Sequence, residues 1–331
     1  MVPNKLAISS LSLSQHPNHS LDHKVRIAAE HGYAGIEIVF SDLATYAQAQ
    51  KLSMSEAADQ IKTVCDQTQT HILSLAAFEN FEGHNTPLED RLHHAGQWIE
   101  IASRLRATHL QVPSQYSLDS TGDPDVLIPE LRQLADLGRA SRPPVSIAYE
   151  ALSWGTHHST LESSLRVVEA VDRPNFGLCL DTFHVVTKVW ADPFAASGKF
   201  PNADTRLHST LREFAKECPL DRIFYIQLSD GERFDPPFSK EHPWYVDGEA
   251  AQFTWSKHAR PFPHETRLGG YMPVSEVARA WIVEMGFRGW VSLETFDRRM
   301  RDGRERPERA AGRGMEAWRR VQREIGERGR I

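Results

Sequence analysis

Cysteine is scarce in this chain of 331 residues. Cys65, Cys179 and Cys218 are odd in number and far apart. That excludes a disulfide framework, and the spacing fits no zinc motif. Three isolated cysteines suit reduced thiols, buried as small hydrophobes in a cytoplasmic protein. Long apolar runs are also missing: none approaches the roughly 18 to 20 residues that span a bilayer. The opening Met-Val-Pro-Asn-Lys-Leu-Ala-Ile leads straight into a strand-like segment and lacks the layout of a signal peptide. There is no excess of positive charge. A net charge of −6 gives no reason to expect a nucleic-acid or membrane partner. No Gly-x-Gly-x-x-Gly follows the first strand candidate, which removes support for a doubly wound open sheet. No low-complexity linker marks a second domain.

What is present is a repeat of buried strands and helices. Apolar residues make up 40% of the chain, enough for a sizeable core, and α/β barrels reach this length as one domain. Strand candidates are Leu6 to Leu13, Gly35 to Phe40, His71 to Ala77, His109 to Pro113, Val145 to Glu150, the run from Phe176, Ile223 to Leu228, and Trp290 to Glu294. Between them fall helical patterns over 20–31, 53–68, 87–105, 124–140, 160–170, 204–216 and 274–285. Ser20 and Ser53 or Ser55 stand where caps belong, and Asp123-Pro124 has the cap-then-proline order. Eight strands alternating with helices, about thirty residues apart, describe an α/β fold of the (β/α)8 TIM-barrel type.

Two segments exceed a minimal barrel over residues 1–300. Residues 231–272, after the seventh strand, hold Phe234, Phe238, Trp244, Tyr245, Phe253, Trp255 and Phe262. An insertion this long and aromatic is expected to be a lid or a subunit contact rather than idle coil. The tail, 301–331, is helical in pattern. From Asp297 onward it carries twelve Arg against seven acidic residues, which reads as a solvated charged helix rather than a nucleic-acid arm.

The chemistry gathers where strands five to eight end. These ends are Glu150, Asp181, Gln227 and Glu294, and in a barrel they point into one mouth. A lone acid at a strand end often only caps the next helix. Four oxygen-bearing ends on consecutive strands instead make an all-oxygen set for Mg²⁺, Mn²⁺ or a similar divalent ion. Without a cation, close carboxylates repel and one tends to hold a proton. His184, three residues after Asp181, has three open roles: a partner orienting a ligand, an acid/base, or a fifth ligand. The paired His93-His94 and His157-His158 read as surface residues.

At these residues the chain resembles the xylose-isomerase-like barrel superfamily of sugar isomerases, epimerases and endonucleases. Those barrels carry a Glu, an Asp, a His or Gln, and a Glu on strands five to eight. More narrowly it resembles the 3-dehydroshikimate dehydratases of quinate and shikimate catabolism. The likeness runs through Leu6-Ala-Ile-Ser-Ser-Leu-Ser-Leu13, His31-Gly-Tyr-Ala-Gly-Ile-Glu-Ile38, Phe78-Glu-Asn-Phe-Glu-Gly83, Asp181-Thr-Phe-His184 and Gln227-Leu-Ser-Asp-Gly-Glu-Arg233. The sugar epimerases usually have His as third ligand, so Gln227 favours the dehydratases. The resemblance implies Glu150, Asp181, Gln227 and Glu294 as ligands of Mg²⁺, Mn²⁺ or Co²⁺, and His184 as catalytic. It implies a hydro-lyase that turns 3-dehydroshikimate into protocatechuate through a metal-stabilised enolate. The alternative is a sugar or keto-acid isomerase or epimerase using the same enediolate logic. The substrate carboxylate calls for a cation, with Arg233 and Arg267 as candidates. Phe78, Asn80 and Trp154, each just after a strand, are candidates to line the pocket. A small-molecule substrate is thus the expected partner, and a homo-oligomer is compatible with the chain.

Overall fold

The computed structural model describes residues 2–327. Eight parallel strands close into a barrel in chain order. They are β1 (Leu6–Ser9), β2 (Gly35–Val39), β3 (His71–Ala76), β4 (His109–Pro113), β5 (Ser146–Glu150), β6 (Phe176–Asp181), β7 (Ile223–Leu228) and β8 (Trp290–Leu293). β8 pairs with both β7 and β1, so the sheet has no free edge. The expected TIM barrel is the fold that forms.

The helices outside the barrel are α1 (Leu21–Glu30), α2 (Phe40–Gln50), α3 (Met54–Gln67), α4 (Leu88–Leu105), α5 (Pro124–Ala140), α6 (Leu161–Val171), α7 (Thr182–Val189) and α8 (Ala203–Glu217). The later ones are α9 (Ala251–His258), α10 (Val274–Arg279) and α11 (Pro307–Glu327). Ser53 and Glu56 form a capping box at α3, and the Asp123 side chain caps α5 just ahead of Pro124. Ser20 holds the cap position of α1 without making the bond. Two helices, α2 and α7, start directly at a strand end with no turn residue to announce them, and the sequence reading passes over both.

Alternation along the strands sorts their side chains. Outward residues such as Ile36, Ile38, Ile147 and Val291 join the helices in one core. Inward, the lower barrel holds a small apolar cluster of Ala7, Leu73, Ala148, Cys179 and Tyr225. Polar residues lie above it. Two register irregularities tune this upper layer. Between Leu178 and Cys179 the pairing skips Phe224, which brings Asp181 level with Gln227. Between Ile36 and Glu37 it skips Leu73, which brings Glu37 level with Ser74. Each skipped residue therefore lines up side chains at the site.

Residues 231–272 form a packed cover. The carboxylate of Asp230 accepts from the backbone N–H groups of Gly231, Tyr271, Met272 and His264, tying both ends of the segment to β7. Trp255 and Phe262 are fully buried, and Ala259–Arg260 pairs antiparallel with Phe296–Asp297.

The charged tail differs from expectation. Over its described part α11 is helical, but Ala310, Ala311, Ala317, Trp318, Val321 and Ile325 form a buried stripe at helical spacing. The stripe packs against α1 and α10, and the Tyr33 hydroxyl donates to the Ala311 carbonyl. Counting charges hid this face, because the arginines occupy the other side. Residues 328–331 of the tail lie outside the described residues. A Cβ on Gly314 would fall well inside contact distance of the Tyr33 hydroxyl, and 3.0 Å from both Leu293 Cδ1 and Phe262 Cε1. Gly314→Ala is expected to cost about 1–3 kcal/mol by overpacking, seen as a lower urea midpoint. An unchanged midpoint would contradict the packed tail.

Candidate metal centre and active site

Glu150 ends β5, Asp181 ends β6, Gln227 lies in β7 and Glu294 follows β8 directly. All four side chains are buried at the C-terminal mouth of the barrel. The structure brings them together. Gln227 Nε2 donates to Glu294 Oε1 at 3.1 Å, and Arg260 Nη2 donates to Asp181 Oδ2 at 2.5 Å and Glu294 Oε2 at 3.2 Å. Single ligand atoms of Glu150, Asp181 and His184 lie within 4.8 Å of one another. Asp181 also does what a lone strand-end acid does. Its Oδ1 accepts from the Phe183 N–H at 2.7 Å and caps α7, leaving Oδ2 for the mouth.

A divalent cation fits these residues. Burial, then the charges of Glu294 and Asp181, pushes the Glu150 carboxyl well above the ordinary range. Burial, against the pull of Arg260, holds Glu294 up at about 8. Glu37, one layer down, is likewise raised by burial. One buried guanidinium is too little positive charge for this many carboxyls. Oε1 of Glu150 is buried and has no hydrogen-bond partner among the described residues. A hard ion with oxygen ligands would satisfy that atom and keep the carboxylates ionised.

His184 sits in the first turn of α7. The backbone N–H of Ser153 donates to its Nδ1 at 3.0 Å, so the proton of the neutral ring belongs on Nε2. Nε2 faces Glu150 Oε1 at 3.5 Å and Asp181 Oδ2 at 3.8 Å. Burial brings the ring down to about 3, with Asp181 opposing and Arg260 adding. A neutral ring with N–H at Nε2 donates a hydrogen bond and offers no lone pair there. Of the three open roles, ligation is the one this geometry disfavours.

The other expected site residues divide. Trp154 is at the centre, its ring edge-on to His184 with centroids 4.8 Å apart. Phe78 is buried among Phe81, His94 and Trp98 beside α4, and Asn80 is exposed in a left-handed turn with φ of 58°. Arg233 is half exposed and faces Asp235 at 3.9 Å. Arg267 lines a surface cavity with Arg309 and Arg320 of α11. Among the described residues neither arginine contacts the acidic cluster: Arg233 follows β7 and Arg267 lies inside the insertion, whose path carries both elsewhere. The guanidinium that does arrive is Arg260. Nothing local to Arg260 signals this, since the fold of the insertion sets its position. Glu37 and Gln111 were also passed over, although each is a polar residue inside an apolar strand.

The centre is covered. Phe183 packs edge-on to Trp255 of the insertion, Trp154 meets Phe253, and all four strand-end residues are under 7% exposed. A cavity of about 530 Å³ has Tyr116, Trp154 and Phe253 in its walls. Arg260→Met removes the guanidinium bonded to Asp181 and Glu294 and is expected to destabilise the metal-free protein by about 3–5 kcal/mol. Saturating Mn²⁺ should restore most of that loss in a thermal melt. Equal losses with and without Mn²⁺ would show that Arg260 does not compensate the carboxylates.

Residues 25–321 match the family model described as xylose isomerase-like TIM barrel. The chain is 37% identical over 334 residues to the 3-dehydroshikimate dehydratase of Neurospora crassa, covering 96% of this chain and 93% of that one. It is 27% identical to the 3-dehydroshikimate dehydratase of Pseudomonas putida, where 88% of this chain spans 38% of the relative. Among solved structures, a xylose isomerase-like TIM barrel/4-hydroxyphenylpyruvate dioxygenase fusion protein matches with a TM-score of 0.75 and 26% identity, over 99% of this chain and 44% of that one. The closed barrel, the acidic strand ends and these matches agree: the chain belongs to the xylose isomerase-like TIM barrel family.

Proposed function

We propose that this protein is a divalent-metal-dependent 3-dehydroshikimate dehydratase, a hydro-lyase that releases water and protocatechuate. The observation that carries the reading is one arrangement. Glu150, Asp181, Gln227 and Glu294 meet at the barrel mouth in a chain similar to a 3-dehydroshikimate dehydratase along 96% of its length. Its small-molecule substrate would come from quinate or shikimate breakdown. A cytoplasmic location is part of the reading, supported by cysteines that are all free.

Those four side chains would hold Mg²⁺, Mn²⁺ or Co²⁺, and the bound ion supplies Lewis-acid stabilisation for negative charge on a substrate oxygen. The chain's own residues do the rest. The reaction removes a proton from C4 and hydroxide from C5, and aromatisation of the ring drives it forward. His184 offers the Nε2–H as a donor to an oxygen that gains charge. A buried neutral imidazole at a helix N-terminus is suited to this task, because it can polarise without being an imidazolium. Arg260, a guanidinium already bonded to Asp181 and Glu294, is the candidate for the substrate's own carboxylate. Trp154, Phe183, Phe253 and Trp255 exclude water above the site, which strengthens each of these interactions.

Purified protein incubated with 3-dehydroshikimate and Mn²⁺ is expected to generate the ultraviolet absorbance of protocatechuate. No such rise, with the metal confirmed bound, would refute the assignment. His184→Ala should lower kcat by about 10²–10³-fold, the cost of removing one preorganised donor, while metal content stays native. Loss of metal from that variant would contradict the donor role.

A further inference from the structure

One layer below the metal centre, Glu37 of β2, Gln111 of β4 and Cys179 of β6 meet the amide of Gln227, Ser74 of β3 backs Glu37, and none of them has a part in the proposed reaction. Gln227 is fully buried. Its Nε2 donates to both oxygens of Glu37, each at 3.1 Å, and to Glu294 Oε1 at 3.1 Å. Its Oε1 accepts from the Cys179 thiol at 3.1 Å and from Gln111 Nε2 at 3.4 Å. Gln111 Nε2 also reaches Glu150 Oε2 at 3.0 Å, so the amide oxygen lies on the Glu150 side.

A carboxamide has a donor end and an acceptor end of nearly the same shape, and only the oxygen can ligate a cation. Turned over in this site, Gln227 would aim Oε1 at two carboxyls and its NH₂ at two donors. A buried group left with mismatched partners loses the full value of each bond. The orientation is therefore set by the neighbours. Glu37 is the largest contributor on the nitrogen side, and it is itself held. Ser74 Oγ donates to Glu37 Oε2 at 2.8 Å, made possible by the register shift that places the two level. Both Glu37 oxygens are thus engaged in the lower layer.

We infer that Glu37 is a positioning residue. With Gln111 and Cys179 opposing it, Glu37 fixes the Gln227 amide so that its oxygen, and not its NH₂, is presented to the metal. A neutral amide ligand needs this device; a carboxylate, whose two ends are alike, would not. The inference rests on the reading of Gln227 as a ligand, and the experiment separates the two.

The test uses the full-length protein loaded with Co²⁺, with affinity measured by calorimetry and the ligand field by the visible spectrum. Glu37→Gln is isosteric but can pair with either end of Gln227. It is expected to weaken Co²⁺ binding about 10–100-fold, the range for lost outer-shell support, and to change the visible bands. The double variant Glu37→Gln/Gln227→Glu restores a donor facing a carboxylate and needs no orientation. It should bind Co²⁺ at least as tightly as the native protein. Native affinity with an unchanged spectrum in Glu37→Gln would overturn the inference. So would a double variant as weak as Glu37→Gln alone, since a merely structural role gives no rescue. If circular dichroism shows that Glu37→Gln does not fold, Ser74→Ala carries the test. It removes only the hydroxyl that steadies Glu37, and it should weaken binding in the same direction; native behaviour there overturns the inference. Gln227→Ala is the control for the underlying reading. Native affinity and spectrum in that variant would show that Gln227 is no ligand, whatever Glu37 does.

Discussion

Glu37, Glu150, Asp181 and Glu294 are buried in one barrel mouth with Arg260 as the single guanidinium among them in the described residues. Burying a charge is costly unless it is paired and hydrogen-bonded, and the surrounding structure is shaped by that cost. Burial holds Glu37, Glu150 and Glu294 above the ordinary carboxyl range. Gln227 and Gln111 point amide hydrogens at these carboxyls, and the Phe183 N–H satisfies the inner oxygen of Asp181. A divalent ion would complete such a set, and in a site this buried its charge would act strongly on a substrate.

The fold delivers these groups by ordinary means. Parallel strands five to eight end side by side, so residues far apart in sequence share one layer. The register irregularities correct that layer by one residue, aligning Asp181 with Gln227 and Glu37 with Ser74. Helix α7 begins on Asp181 itself, which makes one aspartate serve as a cap and as part of the centre. That start also places His184 in the first turn of the helix, edge-on to Trp154, with its Nδ1 occupied by the backbone of Ser153. The insertion closes the top: Asp230 gathers its ends, and Trp255 and Arg260 project from it towards the mouth.

Glu150, Asp181, Gln227 and Glu294 were legible in the sequence because each interrupts or ends an apolar run, and strand order alone makes such ends neighbours. His184 was legible as a candidate, but its tautomer depends on a bond to Ser153 that no sequence pattern encodes. Arg260 was not legible. Its place is fixed by the tertiary path of residues 231–272, and among many arginines it has no distinguishing context. Arg233 stands just after β7 and Arg267 inside the long insertion, and position along the chain is a poor guide to where an insertion of this length carries a side chain. The buried stripe of α11 could have been read from Ala310, Ala317, Val321 and Ile325, but the high density of arginine masked it. Glu37 carried a usable signal, a charged residue at an inward position of Gly-Ile-Glu-Ile, and it matters through a neighbour rather than through the substrate.

The central claim, that the carboxylate-rich mouth is a metal centre built from four strand ends, is tested most directly by anomalous diffraction from crystals grown with Mn²⁺. The account predicts a single strong peak bounded by Glu150, Asp181, Glu294 and the amide oxygen of Gln227, with His184 Nε2 outside the coordination sphere. A peak elsewhere, no peak at saturating Mn²⁺, or direct ligation by His184 in place of Gln227 would contradict it.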